Sequence, residues 1–259
     1  MGGAICGAVC KSDLKKNVLV CDADAAKTAV FREQYGCEAA DSAALAAKAD
    51  YIILGIKPQY MASVLGEIRD VLAKRAEIGE RVVLVTMAAG LTTEWFRETL
   101  ELVLPVIRIM PNIPVKTGSG VILYDATQNV PAEALDTFRR SMAQAGLVDP
   151  LPEHLIDAGS ALSGCGPAFV SLFAEALADG AVACGLPRQK AMAYAAQTLM
   201  GTAKLLLETG EQPGALKDAV CSPGGSTIAG VLALEQGGFR AAASEAVVSA
   251  YQRTLELGK

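Results

Sequence analysis

The chain has a single histidine, His154, among 259 residues. A His-based zinc site or a His-centred triad is therefore hard to build, and no metal site is expected. His154 follows Pro152 just ahead of a helical pattern and reads as a surface or cap residue. Aromatic residues are scarce, 5% against 52% hydrophobic, which points to tightly packed Ala- and Leu-rich helices more than to a β-sandwich. Basic clusters are absent and the net charge is −5, which argues against nucleic acid or an anionic membrane as partner. No CxxC pair occurs. The seven cysteines, at 6, 10, 21, 37, 165, 184 and 221, are scattered through apolar patterns and read as buried or semi-buried thiols of a reducing cytoplasm. The first ten residues lack the basic region and cleavage site of a signal peptide. The charge-free run Ala158 to Ala174 is broken by Gly164, Gly166 and Pro167, so no membrane span is expected there.

What is present is a change of pattern at mid-chain. Helical periodicity covers about residues 2 to 14, 23 to 35, 42 to 48, 60 to 75, 92 to 100 and 131 to 145. Strand-like runs lie at 17 to 21, near 37, and at 51 to 56, 81 to 86, 104 to 110, 120 to 124 and 146 to 148. This alternation predicts a doubly wound parallel sheet. Beyond Pro150 to Pro152 there is no convincing strand, and helical periods run over 153 to 162, 167 to 184, 187 to 208, 213 to 220, 226 to 236 and 239 to 257. Pro167, Pro187 and Pro213 sit at helix starts, where a missing N–H is harmless, and Gly185, Gly210 and Gly237 sit at ends. The expected division is an α/β, Rossmann-like dinucleotide-binding domain over 1–150 and an all-α helical domain over 151–259. So many Ala- and Leu-rich helices carry more apolar surface than one small bundle buries, which predicts homodimerisation through the helical half.

A dinucleotide-binding domain opens with a strand running into Gly-x-Gly-x-x-Gly, whose turn cradles a pyrophosphate at the start of the first helix. Met1-Gly2-Gly3-Ala4 reads as the tail of that fingerprint, with Gly2 as its last glycine. Asp22, after Val18-Leu19-Val20-Cys21, stands where a carboxylate accepts hydrogen bonds from the adenosine ribose; alternatively it caps the helix beginning near Ala23. The first strand and first two glycines of the fingerprint are not in the sequence. Either the true start lies upstream, the simpler explanation, or the chain begins here with an impaired cofactor site. Without that strand the neighbouring strands are expected to expose unpaired backbone and an apolar slot.

The most telling stretch runs from Pro213 to Gly230. A glycine-rich turn, Ser222-Pro223-Gly224-Gly225-Ser226-Thr227, separates two helical patterns. Pro223 stops the first helix, Gly224 and Gly225 let backbone approach a ligand, and Ser226 or Thr227 is expected to cap the next helix. A helix start with free N–H groups favours an anion such as a carboxylate. Taken alone, the turn also fits a plain helix-turn-helix connection.

This stretch closely resembles the signature of pyrroline-5-carboxylate reductases. So do, in order, Ile56-Lys57-Pro58-Gln59, Met87-Ala88-Ala89-Gly90, Met110-Pro111-Asn112, Ala161 to Phe169, Glu175 to Gly180, Gly185 to Arg188 and Leu206 to Glu211. The resemblance covers nearly the whole chain. It implies reduction of the cyclic imine 1-pyrroline-5-carboxylate to proline with NADPH or NADH, in the cytoplasm, by a homodimer that assembles further into a ring of dimers. It implies Thr227 beside the ring nitrogen, the amides of Gly224, Gly225 and Ser226 on the carboxylate, and Ser222 ordering the turn or touching substrate. On the cofactor side it implies Gly2, Asp22, Ile56, Lys57, Pro58, Ala88, Ala89 and Gly90, with Asn112 lining the cleft. Ile113 stands where the family usually has Thr, which leaves that loop's polar contacts in question.

Two other readings are open to the sequence. A β-hydroxyacid dehydrogenase places a catalytic Lys in the helix after a Ser-Gly-rich motif, but Pro167 to Glu175 contains none. A catalytically silent helical dimer or regulatory binding protein would follow from a truly absent first strand. Coenzyme choice divides residues from family. Asp22 and Asp24 repel a 2′-phosphate, and no Arg lies in Cys21 to Ala26, so NADH is expected to serve at least as well as NADPH. The family mostly favours NADPH.

Overall fold

The computed structural model describes residues 1–14 and 17–257. The α/β part contains α1 (Gly2–Lys11), β1 (Leu19–Val20), α2 (Ala25–Tyr35), β2 (Glu38–Ala39), α3 (Ser42–Lys48), β3 (Tyr51–Leu54), α4 (Pro58–Glu77), β4 (Val83–Thr86), α5 (Thr93–Leu100), β5 (Val106–Pro111), β6 (Gly120–Ala126), α6 (Ala132–Met142) and β7 (Gly146–Pro150). Among the described residues only helices follow: α7 (Glu153–Ser163), α8 (Gly166–Ala183), α9 (Arg188–Thr209), α10 (Pro213–Ala219), α11 (Ser226–Gln236) and α12 (Phe239–Leu257). The boundaries have local causes. Asp24, Asp41 and Thr92 cap α2, α3 and α5 by accepting from Ala26, Ala44 and Trp95 backbone N–H groups. Gly36, at φ 71°, ends α2 in a left-handed turn that a side chain would strain.

The strands form two sheets. β1 and β2 pair in parallel, and a five-stranded sheet has the order β3-β4-β5-β6-β7. In a doubly wound order, the strand that precedes the first helix lies between the strands corresponding to β1 and β3. Here β1 and β3 do not pair with each other among the described residues, and β1-β2 stands as a sheet of its own. The expectation of a wholly parallel sheet needs correction: β6 runs antiparallel to β5. Residues 112–119 between them hold only a 3-10 turn, Ile113–Thr117, too short for the crossover that parallel pairing requires.

β4 is buried along its whole length, and its residues alternate between two cores. Val83 and Val85 pack with Ile5, Ile107, Ile109, Ile122, Phe138 and Met142. Leu84 packs on the other face with Ile52, Leu54, Met61, Leu65, Leu72 and Phe96. Thus α1 and α6 cover one face, and α3, α4 and α5 the other.

The chain divides into two compact units. The first, Met1–Gly164 with the last helical residues from Tyr251, carries both sheets and α7; the second is Cys165–Ala250. The place of α7 has an electrostatic cause. Arg108 on β5 is buried and faces Glu153 (3.5 Å) and Asp157 (3.2 Å) on α7. Glu153 also accepts from the Thr93 N–H and hydroxyl, and its own N–H donates to Asp125. In the second unit α8 packs on α9 through Ala178, Ala191 and Ala195, its only buried residues. Asp179 pairs with Arg188 between these helices, a structural use of the acidic α8 face. Leu172, Met200 and Leu207 are 68%, 57% and 84% exposed, so much apolar surface of this unit is uncovered in a single chain.

Candidate active site

The first unit gathers the expected nucleotide residues at one end of its strands. Leu54 pairs with Thr86, so the loops that follow β3 and β4 leave the sheet side by side at its carboxyl end, where such folds bind ligands. The loop after β3 runs Gly55-Ile56-Lys57-Pro58. Ile56 is half-buried, Lys57 is exposed and precedes α4, and Pro58 lies in its first turn. In the loop after β4, Ala88 is buried and its N–H donates to the Thr86 hydroxyl (3.3 Å), whereas Ala89 and Gly90 are exposed. Gly90 sits at φ 77°, a conformation that favours glycine.

The start of α1 lies against the first of these loops. A Cβ on Gly55 would come within 2.8 Å of Gly2 Cα, so this approach requires glycine at 55, while a Cβ on Gly2 would make a tight 3.3 Å contact with Gly55. Gly2 is the first helical residue; its N–H and that of Gly3 have no partner within the helix, whereas the Ala4 N–H already donates to the Met1 carbonyl (2.8 Å). Gly55 was missed at the sequence level, although a glycine closing an apolar strand run is a signal for close backbone approach.

Asp22 follows β1. Its Oδ1 accepts from the Asp24 N–H (2.9 Å) and from Lys27 Nζ (3.3 Å), and these bonds, the backbone one first, hold its carboxyl below the usual carboxylate range. The cap of α2 is Asp24, not Asp22, and the helix begins at Ala25; the capping alternative for Asp22 is corrected accordingly. Lys27 lies one position beyond Cys21 to Ala26, the stretch without Arg, and the first turn of α2 brings it back to Asp22.

Asn112 ends β5 as a buried tie. Its amide donates to the Ser163 carbonyl (2.9 Å), and its carbonyl accepts from the Val121 N–H (2.9 Å). Both side-chain functions are engaged by backbone. Ile113, next to it, is 61% exposed.

The second unit carries the glycine-rich turn. The Gly225 N–H donates to the Ser222 carbonyl (3.0 Å), closing a turn with Pro223 and Gly224 at its corners. Gly224 has φ 68°, which favours glycine. A Cβ on Gly225 would lie 2.3 Å from Ser222 Oγ, so that hydroxyl rests directly over the second glycine. Two local expectations are corrected. α10 already ends at Ala219, before Pro223, and the N-cap of α11 is Gly225, with Ser226 and Thr227 inside the first turn and no side-chain cap. The consequence favours binding: the Ser226 and Thr227 hydroxyls are not spent on capping, and both residues are exposed beside the unpaired N–H groups of an eleven-residue helix. Lys217 and Asp218, just upstream, pair with each other. His154 is exposed on α7.

Residues 153–257 match the family model for pyrroline-5-carboxylate reductase dimerisation, and residues 1–89 that for NADP oxidoreductase, coenzyme F420-dependent. The chain is 39% identical to the pyrroline-5-carboxylate reductase of Escherichia coli over 100% of its own length and 95% of the relative's. The chain belongs to the pyrroline-5-carboxylate reductase family. Another relative, pyrroline-5-carboxylate reductase 3 of Danio rerio, is 44% identical over 80% of this chain and 70% of its own. Among solved structures of the family, that from Coxiella burnetii superposes with a TM-score of 0.91 at 29% identity, covering 100% of this chain and 95% of that one. The family's Plasmodium falciparum reductase, solved with NADP bound, superposes at 0.84 and 25% identity, covering 100% and 95%. The family likeness thus spans both units, and with it the start of α1, the loops after β3 and β4, and the turn before α11.

Proposed function

We infer that this protein is an oxidoreductase of the C=N bond, which reduces 1-pyrroline-5-carboxylate to L-proline with NADPH or NADH as the last step of proline synthesis. The observation that carries the reading is the Ser222–Thr227 turn, with two uncommitted hydroxyls and open helix amides, in a chain of this family. The nicotinamide cofactor supplies the hydride. The protein then has to orient the imine, hold its carboxylate and keep the ring nitrogen protonated, since an iminium accepts hydride better than a neutral imine.

Each task has a candidate. The Gly224 and Ser226 amides, just before and at the start of α11, hold the substrate carboxylate, while the Gly225 N–H, donated to the Ser222 carbonyl, keeps the turn closed around it. Ser222 orders the turn from above Gly225. Thr227 donates or relays a proton at the ring nitrogen. No ionisable side chain of shifted pKa is needed, which suits a chain with one histidine. The nucleotide residues are Gly2 at the start of α1, Ile56, Lys57 and Pro58 after β3, and Ala88, Ala89 and Gly90 after β4. The close Gly2–Gly55 approach leaves that helix start free of side-chain bulk, which fits a pyrophosphate. Asp22 faces the adenosine ribose, and Asn112 acts by holding the end of β5 in place. The exposed apolar side chains of the helical unit fit a homodimer interface. A ring of dimers and a cytoplasmic location complete the proposal, with neither nucleic acid nor membrane as partner. Glu153–Ala183 is apolar and long enough to cross a membrane by composition, but the turn at Gly164 and Cys165 interrupts it, and a dimer interface accounts for its exposed leucines.

The test is substrate selectivity. Purified protein should oxidise NADPH or NADH when given 1-pyrroline-5-carboxylate, and not reduce NADP or NAD with 3-hydroxyisobutyrate or 6-phosphogluconate. The opposite selectivity would overturn the assignment.

A further inference from the structure

Three cysteines from separate segments converge in the first unit, which does not carry the turn before α11. Cys6 and Cys10 are one helical turn apart on α1 and share a face. Cys37 follows Gly36, whose left-handed turn at the end of α2 redirects the chain; the Cys37 N–H donates back to the Phe31 carbonyl. Cys10 and Cys37 are buried, Cys6 is half-buried, and Cys10 Sγ lies 3.5 Å from Cys37 Sγ. All three sulfurs fall within 4.8 Å of one another.

We propose that Cys6, Cys10 and Cys37 form a binding site for a thiophilic divalent d10 cation of the zinc class, which clamps α1 to the end of α2. Zinc–sulfur bonds of about 2.3 Å place the ligands of one ion about 3.8 Å apart, so the Cys10–Cys37 pair, at 3.5 Å, opens slightly and the wider pairs close by about 1 Å at most. Sulfur donors select this class of ion over magnesium or calcium, which take oxygen ligands. Cys6 is the solvent-facing member of the three, so water would complete the four-coordinate shell from its side.

Two other fates of the cluster are less well matched. Plain apolar packing needs no convergence of three sulfurs, because buried thiols pack as small hydrophobes wherever they fall. A Cys10–Cys37 disulfide would employ two of the three and needs an oxidant attacked by a thiolate. Burial and Cys37 push the Cys6 thiol up to about 11, and burial pushes Cys10 up as well, which disfavours attack on an oxidant by either of these two. A cation that bonds to sulfur drives the deprotonation itself. Three S–H bonds are then replaced by three metal–sulfur bonds, and up to three protons are released to solvent.

The experiment uses tag-free, fully reduced, full-length protein. Cd2+ is titrated while the ultraviolet thiolate-to-metal band is recorded, and Zn2+ affinity is measured by competition with a chromophoric chelator. The expected result is one equivalent per chain, with the band and proton release appearing together and the Tm rising with Zn2+. Cys10→Ser and Cys37→Ser should each weaken Zn2+ binding by roughly 100-fold or more. Cys184→Ser, an exposed thiol of the other unit, should leave the band intact. The proposal is overturned by a folded wild-type protein that shows no stoichiometric band. It is equally overturned by a band that survives Cys10→Ser and Cys37→Ser, or by thiol titration and mass analysis showing only a Cys10–Cys37 disulfide. The wild-type measurement decides the matter even if a variant fails to fold.

Discussion

Gly225→Ala tests the substrate turn most directly. The native backbone there, φ −78° and ψ 170°, is open to alanine, so no conformational strain is introduced. The added Cβ would stand 2.3 Å from Ser222 Oγ and 3.1 Å from the Ser222 carbonyl. Ordinary contact begins near about 3.5 Å, so the hydroxyl has to move by more than about 1 Å. Rotation of a small side chain does this at a cost of about 1 kcal/mol, and the loss of glycine freedom in the unfolded chain offsets roughly 0.4–1 kcal/mol. Global stability should therefore hardly change. The Ser222 hydroxyl, however, leaves its place over the turn. If it orders the turn or touches substrate, kcat/KM for 1-pyrroline-5-carboxylate should fall by roughly 10- to 100-fold, the worth of one to two hydrogen-bond energies. Cofactor affinity should stay as in wild type. The assay is steady-state kinetics beside a thermal melt and a cofactor titration. Ser222→Ala and the double variant add the decisive arm: if both changes act through one hydroxyl, the double variant should lose no more activity than Ser222→Ala alone. Wild-type kinetics in Gly225→Ala, or fully additive losses, would refute the reasoning.

Three further outcomes follow from the same geometry. Gly55→Ala puts a Cβ 2.8 Å from Gly2 Cα, which no side-chain rotation relieves; the start of α1 must shift, and NADPH titration should show affinity lowered by about 10-fold or more, with imine selectivity unchanged. Thr227→Val should lower kcat more than it raises KM, by roughly 10- to 100-fold, and unaltered kinetics would remove the hydroxyl from the mechanism. NADH should serve at least as well as NADPH, and Asp22→Ser should shift preference towards NADPH, because the carboxylate goes while Lys27, 3.3 Å away, remains to meet a 2′-phosphate; a strong NADPH preference in the wild type would show that Asp22 turns away from the ribose.

Much of this molecule was legible in its sequence, because periodicity, caps and turns are local. The helix over Ser226–Gln236 and the strand starting at Tyr51 declare themselves by apolar spacing and flanking glycine, and the ordered motifs named the family before any contact was known. What escaped were features that depend on which distant segments meet. The antiparallel course of β6 follows from how a short connection docks after β5, and an apolar run carries no mark of direction. Arg108 reads as one charge in a strand until α7 brings Glu153 and Asp157 to it. Gly55 acquires meaning only when Gly2 lies against it, and Lys27 only when α2 turns it back to Asp22. The cysteines make the same point most plainly. The pair Cys6 and Cys10 is visible as a helical i, i+4 spacing, but without a CxxC motif it signals nothing. Cys37 joins it through the left-handed turn at Gly36 and the packing of α1 beside α2, because convergence of side chains is a property of the packed elements and not of the spacing along the chain.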